Sequence, residues 1–156
     1  MKPDQRTYTV EQALQKLMQF CAYRDRSHKE VEEKLERMRM IPAARELIII
    51  RLMEDGFLSE ERFARSFARG KFRIKGWGRR KIKQELALRD ISKPIITLAM
   101  SEIQEEDYLE KLRELAGKKS ATIAEKNPLK RKKKLQDYLL RKGYEPELVY
   151  QLTEGL

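Results

Sequence analysis

One short pattern recurs three times along this chain and narrows what it can fold into. Two apolar residues four apart are followed by a gap of five or six residues, an apolar residue and a further apolar helix. The pattern appears as Val31/Leu35 then Ile41, as Ile82/Leu86 then Ile91, and as Leu135/Leu139 then Tyr144. A period of about 50 residues marks repeated supersecondary units rather than one continuous globule. The expected fold is all-α: three tandem three-helix units, helix-turn-helix-like, forming an elongated, curved array. Arrays of this kind are more often binders than catalysts.

Local signals divide the chain. Residues 1–8 lack apolar periodicity and read as a flexible tail. The first unit is expected over 9–58. Val10, Ala13, Leu14, Leu17 and Cys21 make a helical stripe, and Ser27 with Glu30 has the form of a capping box. Pro42 sits at a first helical turn, and Asp55-Gly56 is a helix stop. The second unit, 59–103, opens with Ser59 as a cap and Glu60 and Glu61 in the first turn, where the helix dipole favours acid. Gly76 and Gly78 break it before Ile82 and Leu86. The third unit, 104–156, carries Tyr108, Leu109, Leu112 and Leu115. A longer basic connector is expected over 117–127, before a helix started by Asn127-Pro128. The run Ile48-Ile49-Ile50 tempts a strand reading but lies inside a longer helical pattern.

Charge is concentrated rather than spread. The net charge is +10, which favours a polyanionic partner. From Arg65 to Lys83 there are nine basic residues and no acidic one. The candidate contact surface there is Arg65, Arg69, Lys71, Arg73, Lys75, Trp77, Arg79, Arg80, Lys81 and Lys83. Phe72 and Trp77 interleave with these cations, and aromatic rings stack on unpaired bases. The competing reading is an ordinary solvated helix face with Trp77 packed under its loop. A secondary basic patch is formed by Lys118, Lys119, Lys130, Arg131, Lys132, Lys133 and Lys134. Its five-residue run stands near a helix N-terminus, where cations oppose the dipole. An anionic partner offsets that cost; a frayed, solvated helix start is the alternative.

Catalytic and metal signals are thin. One histidine, His28, and one cysteine, Cys21, give no zinc set and no internal disulfide. His28 falls in a cap, and Cys21 lies on an apolar stripe as a packing residue. Glu60-Glu61 and Glu105-Glu106-Asp107 are accounted for as helix-start acids. Gly76-Trp77-Gly78 lacks the order of a phosphate loop. No catalytic, cofactor or metal residue is assigned. With no apolar run of membrane-spanning length, the expectation is a cytoplasmic monomer.

Several segments resemble the RecX regulatory family. Gly56-Phe57-Leu58-Ser59-Glu60-Glu61-Arg62-Phe63-Ala64 is similar to its signature where the first two units join. Lys75-Gly76-Trp77-Gly78-Arg79-Arg80-Lys81-Ile82-Lys83-Gln84-Glu85-Leu86 resembles a second segment of that family, and Ala13-Leu14, Tyr23 to Ser27 and Glu30 to Leu35 resemble its opening. The resemblance covers roughly residues 10–152. It implies three tandem three-helix units with no known catalytic centre. It also implies binding to the RecA recombinase as a filament on single-stranded DNA, mostly to inhibit it, in recombination, repair and the SOS response. Non-specific contact with single-stranded, and with double-stranded, DNA belongs to the same expectation. Whether the basic patches would touch DNA or RecA stays open. The alternative is a free-standing helical-repeat DNA-binding protein that does not act through RecA. Against it, the middle helices lack a clear set of side chains aimed at base edges.

Overall fold

A computed structural model describes residues 7–155. Nine helices and no strand occur among the described residues. The first unit holds α1 (Val10–Tyr23), α2 (His28–Arg37) and α3 (Pro42–Glu54). The second holds α4 (Glu60–Arg73), α5 (Arg79–Leu88) and α6 (Lys93–Met100). The third holds α7 (Glu105–Thr122), α8 (Pro128–Arg141) and α9 (Pro146–Thr153). Helix contacts are made mainly within units: α1 and α2 pack on α3, α4 on α5 and α6, and α8 on α7 and α9. Ile48, Ile49 and Ile50 lie in α3. Of the tail expected over 1–8, residues 1–6 fall outside the described residues, and Tyr8 packs half-buried on the first core.

The caps follow from side-chain chemistry. Ser27 accepts from the Glu30 amide while the Glu30 carboxylate accepts from the Ser27 amide, so two otherwise orphaned donors are satisfied together. Ser59 caps α4 through the Arg62 amide, and Asn127 caps α8 through the Leu129 and Lys130 amides. Cys21 is buried in the first core, and that burial raises its thiol pKa.

One turn geometry repeats in all three units. The Met40 amide donates to the Leu35 carbonyl at 3.1 Å, Ile91 to Leu86 at 3.2 Å, and Tyr144 to Leu139 at 3.2 Å. The residue before each donor is left-handed: Arg39 at φ 62°, Asp90 at 60° and Gly143 at 104°. This reversal ends the second helix and turns the next side chain inward. Met40, Ile91 and Tyr144 are therefore the equivalent buried residues. The expectation that Ile41 held this place in the first unit is corrected, since Ile41 is 67% exposed. Counting apolar residues missed the register by one because the left-handed step is not an apolar signal.

The expected connector over 117–127 is also corrected. The helix α7 continues to Thr122, leaving 123–127 as the link. Gly117 costs about 1 kcal/mol inside a helix, too little to stop it here. The Arg131 guanidinium donates to the carbonyls of Ser120 and Ile123, supplying partners for the exposed end of α7.

The apolar core is not one mass. Ala13, Leu17, Val31, Leu35, Ile48 and Leu52 belong to a first cluster confined to unit one and its exit loop. A second cluster runs without interruption from Phe63 in α4 to Val149 in α9. Units two and three thus share a core, and unit one has its own.

Candidate polyanion-binding surface

The α5 N-terminus is held by the third unit rather than left open. The Gly78 amide donates to the Lys142 carbonyl at 2.7 Å, the Arg80 amide to Gly143 at 3.0 Å, and the Arg79 amide to the Tyr108 hydroxyl at 2.9 Å. A Cβ on Gly78 would overlap the Gly143 carbonyl, so backbone meets backbone where only glycine fits. Tyr144 donates from its hydroxyl to the Gly76 carbonyl at 3.1 Å. These contacts fix the loop carrying Trp77 against unit three.

Arg79 is part of this scaffold. Its guanidinium lies 3.8 Å from the Tyr108 ring centroid and pairs with Glu105 and Glu145, each at 2.9 Å. Nε meets Glu145 as an ion pair without a well-directed hydrogen bond. Burial would lower its pKa, but the hydrogen bond to Glu105 and the charge of Glu145 outweigh this and raise it. Tyr108 is pushed well above the usual phenol range, first by burial and then by its hydrogen bond to Glu145, so it stays neutral.

The other sequence-nominated cations separate into groups. Arg65 pairs with Glu61 at 3.2 Å and Glu102 at 3.7 Å, and Arg69 also pairs with Glu102. Both face the end of α6. Arg73 borders a shallow hollow shared with Asp107, Glu110 and Glu114. Arg80 and Lys83 are exposed on the outer side of α5. Phe72, interleaved with the cations in sequence, is 6% exposed and packs on Tyr108 at 5.9 Å between centroids. Burial removes it from the residues available to stack on a base.

What remains converges on Trp77. Lys71 Nζ lies 4.9 Å and Lys81 Nζ 4.5 Å from its ring. Trp77 is half-buried and meets Phe67 edge-on at 6.2 Å. Lys142, which the sequence reading did not nominate, joins from α8's end. Its ammonium donates to the Lys75 carbonyl at 2.7 Å. Burial, then Lys81, then Lys75 lower its pKa. No carboxylate is ion-paired to Lys71, Lys75, Lys81 or Lys142 among the described residues. Like charges held together without counter-charge favour an incoming anion. The only cue to Lys142 was its place two residues before Tyr144 in the third repeat.

The second patch is more mixed. Lys118 pairs with Glu114, Lys133 with Asp137 and Lys134 with Glu125. Lys119 covers the Tyr138 ring at 4.8 Å, and Arg131 is committed to α7's end. Lys130 is exposed and Lys132 half-buried, neither in an ion pair among the described residues. Exposed pairs are weak, so this patch keeps part of its field.

No group of three or more His, Cys, Asp or Glu side chains is arranged for a metal ion among the described residues. No helix among them is long and apolar enough to cross a membrane.

Two family models match: the second three-helix domain of RecX over residues 59–100, and the third over 105–152. Over 147 residues the chain is 26% identical to the regulatory protein RecX of Bacillus cytotoxicus, covering 94% of this chain and 54% of that protein. It is 29% identical over 143 residues to its namesake from Listeria welshimeri, covering 89% and 52%. The chain thus spans about half the length of these curated relatives. Its fold is similar to a crystal structure of regulatory protein RecX, with a TM-score of 0.85, 21% identity and coverage of 94% of this chain and 72% of that one. For RecX from Lactobacillus salivarius the values are 0.83, 22%, 94% and 96%.

Proposed function

This chain belongs to the RecX family, and we propose that it regulates the RecA recombinase by binding its filament on single-stranded DNA. The regulation is mostly inhibitory and acts in homologous recombination and DNA repair. The observation that carries this reading is the cation cluster around Trp77, which has no paired carboxylate among the described residues. A half-buried indole with two ammonium groups close to its ring brings aromatic surface and phosphate-binding charge together. Its loop is fixed by Gly78 and Tyr144, so little ordering is needed on binding.

The reading assigns binding rather than catalysis. The test is RecA from the same organism with the full chain added at amounts well below one per recombinase. ATP hydrolysis and strand exchange are expected to fall. Unchanged rates would overturn the proposal. A protected footprint on one defined duplex would instead favour the free-standing DNA-binding alternative.

A further inference from the structure

We propose that Lys142 is a modification site: its amine takes an acyl group from an acyl phosphate, and the neutral amide so formed weakens the surface around Trp77. The second half of this inference rests on the polyanion reading above and names a way of regulating that surface. Lys142 caps the C-terminus of α8. Its carbonyl accepts from the Gly78 amide and its ammonium donates to the Lys75 carbonyl, each at 2.7 Å. The side chain is thereby drawn onto the loop that carries Trp77, where it is half-buried. Lys81 stands beside the same turn, since a Cβ on Gly143 would lie 2.4 Å from the Lys81 Cβ. The acids at this joint are already engaged: Arg79 pairs with Glu105 and Glu145, and the Tyr108 hydroxyl donates to Glu145.

Its surroundings set this lysine apart. Lys118, Lys133 and Lys134 pair with carboxylates, and Lys71, Lys81 and Lys119 lie over aromatic rings. Both kinds of partner favour the protonated amine. Lys142 has neither among the described residues. Partial burial and the charges of Lys81 and Lys75 instead favour its free amine, and only that form is a nucleophile. The same two cations select the donor. An acyl phosphate brings an anion for Lys75 and Lys81 and sets its carbonyl carbon beside Lys142, whereas a neutral acyl donor gains nothing from them. The amine lone pair attacks the acyl carbon and a C–N bond forms. The C–O bond to phosphorus's oxygen breaks, and inorganic phosphate leaves with the amine's proton. No oxidant or reductant takes part, and one positive charge is lost.

The test incubates the full chain with acetyl phosphate and follows each lysine by peptide mass spectrometry. Lys142 is expected to be acetylated about fivefold faster than Lys93, an exposed lysine of α6 outside both basic patches. Excess inorganic phosphate is expected to slow Lys142 and leave Lys93 unchanged. A Lys75→Ala/Lys81→Ala variant with unchanged circular dichroism is expected to bring Lys142 down to the rate of Lys93. Equal rates in the unaltered chain, no protection by phosphate, or an advantage that survives the double substitution would each overturn the site. The consequence is read by fluorescence anisotropy with oligo(dT). Lys142→Gln, neutral like the amide, is expected to weaken binding about threefold, and Lys142→Arg to retain it. Equal binding by the Gln variant, or no binding by the unaltered chain, would overturn the regulatory half. The RecA rate measurement decides the filament reading separately.

Discussion

At the joint between units two and three, Gly78 and Gly143 bring backbone against backbone, and the rings of Phe72, Tyr108 and Tyr144 pack in series at 5.9 and 5.0 Å. At the joint between units one and two, Arg62 pairs with Asp25 at 2.7 Å, His28 lies 3.4 Å from Glu60, and Lys29 reaches the Leu88 carbonyl at 3.2 Å. The first joint named has a shared apolar core; the second has partly exposed polar contacts beside an open cleft. Packed apolar contacts resist separation through buried area. Exposed ion pairs contribute about 0–1 kcal/mol each and weaken with salt. The same repeated unit is therefore joined through a shared apolar core on one side and through partly exposed polar contacts on the other, and the cleft lies on the polar side.

The sharpest way to break this contrast is Gly78→Ala. The new methyl group would overlap unit three's backbone, and units two and three are expected to lose about 3 kcal/mol. The single tryptophan, Trp77, sits at this joint, so its emission during urea unfolding reports the loss. Retention of the full midpoint would remove the rigid joint. Tyr108→Phe is next. It strips a partner from both the Arg79 amide and Glu145 and is expected to cost about 1–2 kcal/mol in the same measurement. Arg62→Ala, at the other joint, is expected to cost under about 1 kcal/mol. Its larger signature is a broader distribution of unit-one orientations in small-angle scattering. A loss of several kcal/mol would show that the joint between units one and two is not loose.

The smallest effect concerns protons. Lys142 has its pKa lowered by burial and by Lys81 and Lys75, so just below the ordinary lysine range the free protein is partly deprotonated there. A bound polyanion reverses the like-charge cost and raises that pKa. Binding is therefore expected to take up protons in this window, and affinity to fall as pH rises through it. Calorimetry in two buffers of different ionisation enthalpy reads the uptake. Proton release would contradict the placement of the anion beside Lys142.

Much of the fold was legible in the residues themselves. The pairs Val31/Leu35, Ile82/Leu86 and Leu135/Leu139 are all buried at 2% or less, because a four-residue spacing on a helix keeps one face. The caps at Ser27, Ser59 and Asn127 were legible for the same local reason. The turn register was not, since Arg39 and Asp90 adopt left-handed geometry without glycine. The extent of α7 was hidden because its end is satisfied by Arg131 from the next helix.

The basic surface was legible as composition and less so as geometry. Nine cations from Arg65 to Lys83 look alike in sequence. Only folding places Glu102, Glu105 and Glu145 against Arg65, Arg69 and Arg79. Those acids come from residues well outside the basic run, so no local window reveals the pairing. Lys142 is the converse case, brought to Trp77's neighbourhood from the third repeat.

Salt dependence of affinity for single-stranded DNA puts the central claim to its most direct test. The unaltered chain is compared with a Lys71→Ala/Lys81→Ala variant and an Arg65→Ala/Arg69→Ala variant. If the cations around Trp77 meet phosphate, the first pair lowers the log–log slope by about 1.4, at about 0.7 for each phosphate left without its lysine, and the second leaves it nearly unchanged. An unchanged slope for the first pair, with a reduced slope only for the second, would contradict it.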